Sequence, residues 1–118
     1  AFKDGADYVY VHVEGPDECG HRGEAKNKVK AIELIDSRSL KLMLEYLENC
    51  GESYRILIMP DHPTPLETKT HSSAPVPYLI FDSSAPKSGV ESFTEQAAES
   101  SGIFVEHGPD IMNRLLNK

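Results

Sequence analysis

The hydrophobic period changes twice within the first half of the chain, and this constrains the fold more than any other feature. In Asp7-Tyr-Val-Tyr-Val-His-Val-Glu14, Val9, Val11 and Val13 fall on one face and Tyr8, Tyr10, His12 and Glu14 on the other, the period of two of a β-strand. Gly15-Pro16 stops this strand, and Asp17 to Lys26 is too rich in glycine and charge to be a core element. From about Ala25 to Asn49 the spacing turns helical, with Ala25, Val29, Ile32, Leu40, Met43 and Leu47 on one stripe and Gly51 as a stop signal. Tyr54-Arg-Ile-Leu-Ile-Met59 is then a nearly continuous apolar run, as expected of a strand covered on both faces, and Pro60 ends it. A strand, a long helix and a second strand make a natural crossover. The pattern predicts an α/β fold, a mostly parallel sheet flanked by helices.

Later segments extend the same scheme. Asp61 to Pro75 reads as a loop, and Val76-Pro-Tyr-Leu-Ile-Phe81 as a third strand with Pro77 near its start or on an edge. Ser92-Phe-Thr-Glu95 matches a capping box opening a short helix that ends near Gly102, and a last helix is expected from Pro109 to Leu116. With 118 residues and no repeat or linker, residues 1–118 are expected to form a single domain with a real core. One position breaks the helical stripe, because a step of four from Ile32 lands on Asp36. Either Asp36 is buried and hydrogen-bonded, supporting the loops beside it, or helix rotation carries it to solvent.

Charge and cysteine usage narrow the function classes. A formal net charge of -7 disfavours a polyanionic partner, so nucleic acid is excluded. No apolar run approaches the length of a membrane span, and no basic segment followed by an apolar one opens the chain, so neither membrane insertion nor a secretory signal is expected. The start at Ala1, without Met, is what a cut chain would show. Cys19 and Cys50 form no disulfide framework and no Cys-x-x-Cys pair, which suits a reducing cytoplasm. Cys19, between Asp17 and His21, is either a reactive group or a small side chain in a crowded loop.

Three loops carry residues with chemistry: Pro16-Asp17-Glu18-Cys19-Gly20-His21, Pro60-Asp61-His62-Pro63-Thr64-Pro65 and Lys69-Thr70-His71. In an open α/β sheet, ligands bind beyond the carboxyl ends of the strands, where the first two of these loops would lie. Neutral imidazole and carboxylate are the usual protein ligands for Zn, Mn and related divalent ions. Placed together after predicted strands, with a third loop histidine, they point to a metal site.

The run His12-Val-Glu-Gly-Pro-Asp17-Glu-Cys-Gly-His21-Arg-Gly, then Lys28-Val-Lys-Ala-Ile-Glu-Leu-Ile-Asp36, Pro60-Asp-His-Pro-Thr-Pro65, and His71-Ser with Pro75-Val-Pro77, resembles the archaeal-type cofactor-independent phosphoglycerate mutases of the alkaline phosphatase superfamily. Similarity continues through Phe93-Thr-Glu95 to Met112; Gly15 and Cys19 stand where family members often carry Ala. The resemblance implies an alkaline-phosphatase-like fold. It implies that Asp17, His21 and His71 bind one divalent ion and that Asp61 and His62 bind a second, Mn, Zn, Co or Mg. A further Asp and the nucleophilic Ser of the family precede anything in this chain, so no catalytic nucleophile is expected here and the second site should be half made. Glu18 is expected to support the ligands from behind or to be solvated, His107 to be a surface residue, His12 to line the phosphate pocket at the sheet edge or to be a surface strand residue, and Lys28 and Lys30 to be solvated helix residues, the alternative being that one of them faces substrate phosphate.

The implied activity is metal-dependent interconversion of 3-phosphoglycerate and 2-phosphoglycerate in glycolysis, through a phosphoserine. The implied partner is a small phosphorylated substrate. A metal-dependent phosphatase or phosphodiesterase of the same superfamily, and a non-catalytic metal-binding domain, are the alternatives. By itself the chain is expected to fold and bind one ion without mutase activity.

Overall fold

Arg55–Ile58 (β1) pairs with Leu79–Asp82 (β2) in a computed structural model that describes residues 1–116. The pairing is antiparallel, in register from Arg55 opposite Asp82 to Ile58 opposite Leu79, and it is the one ladder among the described residues. The described residues hold this small two-stranded antiparallel sheet, and the mostly parallel sheet expected from the sequence is not seen among them. A parallel return needs a crossover, usually a helix. Residues 59–78 contain Pro60, Pro63, Pro65, Pro75 and Pro77 and no helix, because proline removes the helical donor and clashes with the preceding turn. The strand expected from Val76 starts only at Leu79, after the buried Pro77.

Helices follow these strands in the chain. Asp110–Leu116 (α5) packs on β1, and its buried residues Ile111 and Leu115 lie four apart on one face. Glu95–Ser100 (α4) is capped by Thr94, whose hydroxyl accepts the Ala97 amide at 3.2 Å, so the cap falls two residues after the expected Ser92. Arg55 ties the two strands to α5: its Nε donates to Asp82 Oδ2 at 2.6 Å and its Nη1 to the Leu115 carbonyl at 3.3 Å.

The Ser84 hydroxyl, the Arg55 guanidinium and the Ser84 amide hold the Asp82 carboxyl well below its ordinary value of 3.8, at about 2. A carboxylate with a lowered folded pKa contributes stability that is present above its unfolded value and lost as pH falls through the folded one. Asp82→Asn is thus expected to flatten the acid limb of a thermal-midpoint profile between about pH 4 and 2 while changing its shape little near neutrality. An unaltered acid limb would show that Asp82 does not carry this linkage.

Gly15–Arg22 (α1) and Ala25–Leu34 (α2) pack on one another as a pair of short helices. The helical run then passes through a π turn, Ile35–Leu40, into Lys41–Asn49 (α3). In the π turn the Ser37 hydroxyl donates to the Glu33 carbonyl at 2.7 Å, competing for an acceptor of the ordinary i→i-4 ladder. The extra residue changes the phase of the stripe. Asp36 is exposed, as are Ala25, Val29, Ile32 and Met43, while Lys28, Ala31, Leu34 and Ile35 are half-buried. The buried-stripe expectation for Asp36 is thereby replaced by its solvent alternative. The Asp17 to Lys26 loop expected from the sequence is instead largely helical, in α1.

Residues 7–14 pair with nothing in a ladder, since a strand exists only where a neighbour takes its hydrogen bonds. Tyr8, Tyr10, Val11 and Val13 are exposed by 43–69%. The chain clusters into two compact units, Ala1–Leu42 with Thr64–Thr70, and Met43–Pro63 with the residues from His71 onward. Only Cys19, Ile111 and Leu115 form buried apolar core among the described residues. The accessible surface is 9077 Å², against roughly 6,400 Å² for a folded monomer of this mass. Even two separate folded units of half the mass would expose only about 7,700 Å².

Candidate metal centre

Each unit carries part of the expected donor set. In the first, Pro16 sits in the opening turn of α1, where its missing amide is no loss, and Asp17 follows it in the same turn. Asp17 and His21 are four apart and so share a helix face; Asp17 Oδ2 lies 3.3 Å from His21 Nε2. Gly23 ends α1 in the left-handed region, φ 69°, and the amides of Gly23 and Glu24 cap the carbonyls of Gly20 and Cys19.

The Thr64–Thr70 segment holds both of these side chains. His21 Nδ1 lies 2.9 Å from the Lys69 carbonyl oxygen. A carbonyl can only accept, so Nδ1 carries a proton and Nε2 is the nitrogen turned to the Asp17 side, where a metal ion would be met. Lys69 is the one non-glycine residue with positive φ among the described residues, at 53°, so backbone strain accompanies the placement of that carbonyl. The Thr64 hydroxyl donates to Asp17 Oδ1. Lys28, expected to be solvated, is half-buried instead and donates its ammonium to the Thr64 carbonyl at 2.6 Å.

In the second unit, Asp61 Oδ1 accepts the His62 amide at 3.0 Å, and its Oδ2 lies 3.3 Å from His62 Nε2. The Ser72 amide donates to the Pro63 carbonyl at 3.0 Å, which draws the start of the third loop back to the second. As a result the rings of His62 and His71 lie 3.6 Å apart between centroids at 31°, with a nitrogen of each within 4.8 Å of the other. Two imidazoles so close would repel if both were charged, and as neutral rings they offer two lone pairs to a cation. The neighbours found here, His62 and His71, are ones the resemblance divides between two ions. The donor chemistry, imidazole and carboxylate in both units, fits a divalent ion such as Zn or Mn.

The remaining candidates stand apart from these groups. Glu18 pairs with Arg22 at 3.0 Å on the exposed side of α1, and Glu24 adds a second contact to Arg22 at 3.2 Å. His12 stacks on Tyr10, rings 6.1 Å apart, and both it and His107 are exposed. Lys30 reaches Glu33 at 3.1 Å in solvent. Cys19 is buried and Cys50 exposed, both as free thiols. Sequence reasoning missed Thr64 and the Lys69 carbonyl. A threonine locked between Pro63 and Pro65 was a usable signal; nothing in the residue type marks Lys69 as left-handed.

The class is defined by comparison as well as by donor chemistry: residues 1–118 match the family described as the Metalloenzyme superfamily, and the chain belongs to it. Within that class it is 47% identical over 113 residues to "Probable 2,3-bisphosphoglycerate-independent phosphoglycerate mutase" of Geobacter sulfurreducens, covering 95% of this chain and 28% of that protein. It is 43% and 41% identical to the 2,3-bisphosphoglycerate-independent phosphoglycerate mutases of Methanothrix thermoacetophila and Methanosarcina mazei, over 93% of this chain and 28% of each relative. The chain thus spans little more than a quarter of the length of these relatives. No solved structure matches it. No helix among the described residues is long and apolar enough to cross a membrane.

Proposed function

We propose that this chain is the metal-binding portion of a cytoplasmic, cofactor-independent phosphoglycerate mutase. Asp17, His21 and His71 hold one divalent ion and Asp61 and His62 hold a second. The observation that carries the reading is the placement of His21: a backbone carbonyl holds Nδ1–H and turns Nε2 toward Asp17, so that an imidazole nitrogen and a carboxylate oxygen 3.3 Å apart face one point. The similarity to named mutases over 93–95% of the chain supports the choice of reaction. When bound, the ions supply positive charge to the phosphoryl oxygens as charge develops on them.

The chain's own residues keep the ligands in place. Lys69 orients His21, and the Asp61 carboxylate holds the His62 backbone and ring. The nucleophilic Ser belongs to the remainder of the protein. So does the finer fold: in the full-length protein, residues 7–14 join a mostly parallel, alkaline-phosphatase-like sheet, a reading supported by their strict alternation and by the exposed face they carry here.

The test uses the full-length protein with Mn and 3-phosphoglycerate. Formation of 2-phosphoglycerate without free phosphate is the expected result, with loss of activity in His71→Ala and Asp61→Ala. Release of phosphate to water in place of 2-phosphoglycerate would assign the protein to the hydrolytic branch of the superfamily, and no turnover of either kind would overturn the reading.

A further inference from the structure

Thr64 is the one buried polar side chain among the described residues, 4% exposed, and it touches three groups of the first unit at once. Its hydroxyl donates to Asp17 Oδ1, its carbonyl accepts the Lys28 ammonium at 2.6 Å, and its carbonyl and Cγ2 lie where a β-carbon on Gly20 would fall, at 2.7 and 2.9 Å. The absence of a side chain at Gly20 is therefore what allows α1 to lie against Thr64. Burial of a hydroxyl is costly unless it is hydrogen-bonded, and here the bond goes to a presumed ligand.

We infer that Thr64 is a positioning residue: it fixes the carboxylate of Asp17 by spending one lone pair of Oδ1, so that Oδ2 stays turned toward Nε2 of His21, and Lys28 anchors Thr64 in turn. This rests on the proposed metal site and deepens it. The chemistry needs a donor at position 64, because an ionised carboxylate is acceptor-only. Hydrogen bonds to ligating carboxylates tune affinity, and their loss typically costs about 10–100-fold in metal binding. Prolines on both sides, Pro63 and Pro65, restrict the backbone and keep the hydroxyl aimed.

The experiment is calorimetric titration of the full-length protein with Mn alone, beside steady-state kinetics with 3-phosphoglycerate at saturating Mn. Thr64→Val, which keeps the shape and removes the hydroxyl, is expected to weaken Mn binding about 10–100-fold, with kcat falling more than KM rises. Thr64→Ser is expected to restore affinity to within about threefold, a rescue that mere packing would not give because Ser lacks the methyl. If Thr64→Val does not fold, Lys28→Met decides the matter: a drop of several-fold in affinity supports the anchor, and unchanged affinity overturns it. Normal Mn binding in Thr64→Val with impaired binding in Asp17→Asn would overturn the positioning role and leave the metal site standing. Normal binding in both would remove Asp17 from the site, and this inference with it.

Discussion

His21→Ala in the full-length protein is expected to weaken Mn binding by roughly 100-fold or more, beyond what loss of an outer partner causes, and to abolish phosphoglycerate interconversion. Two features make this the most sensitive position. His21 reaches the site from one helical turn beyond Asp17, and its ring is held by the Lys69 carbonyl rather than by water. Replacing it removes a ligand and leaves the Lys69 carbonyl without its partner, in a segment already strained at φ 53°. His21→Gln, which can offer an oxygen or a nitrogen but no imidazole lone pair, should recover little. Titration with Mn and with Zn reads the effect directly, and wild-type affinity in His21→Ala would remove this residue from the metal site.

Gly20→Ala is expected to destabilise the first unit by about 1–3 kcal/mol, the usual cost of overpacking. In an exposed helix the same change would stabilise by up to about 1 kcal/mol through helix propensity. The sign is decided by what the new β-carbon meets. At 3.0 Å the Lys28 ammonium is the end of a flexible chain and can move aside, whereas the Thr64 carbonyl at 2.7 Å is backbone and cannot move without the whole Thr64–Thr70 segment. Differential scanning calorimetry of the variant should show a lowered midpoint together with weaker Mn binding, because Thr64 is displaced from Asp17. A raised midpoint would mean that α1 and Thr64 are less tightly apposed than 2.7 Å implies.

Local signals were legible in the sequence where they did not depend on a distant neighbour. The apolar run at 54–59 became β1, the helical spacing from Ala25 to Asn49 became a helical run, and the last helix came out one residue from its expected start. Errors arose where geometry is set from outside the segment. Strand direction failed because the return of the chain between β1 and β2 is made by a proline-rich loop, not a helix. The phase of the long helix failed already ahead of the π turn, where Ala25, Val29 and Ile32 are exposed and Lys28, Ala31 and Leu34 are half-buried instead. Glycine content hid α1, since Gly20 serves close packing there rather than a turn. The metal-binding residue types and their pairing in loops were readable. Of their supports, Thr64 carried a usable signal in its flanking prolines, whereas the Lys69 carbonyl did not, because a hydrogen bond to a backbone carbonyl carries no residue signature.

The unpaired segment near the start of the chain bears on solubility. Tyr8-Val-Tyr-Val-His-Val13 combines five β-favouring residues with no Pro, no Gly and no carboxylate or ammonium, the composition of a segment that stacks into cross-β fibrils. All but Val9 are open to solvent here. Asp7 and Glu14 flank it on either side, and a charge at each end of such a window is the arrangement that blocks register-matched stacking of identical copies. Asp7 and Glu14 thus stand where flanking charges oppose the stacking of identical copies whenever the segment is not covered.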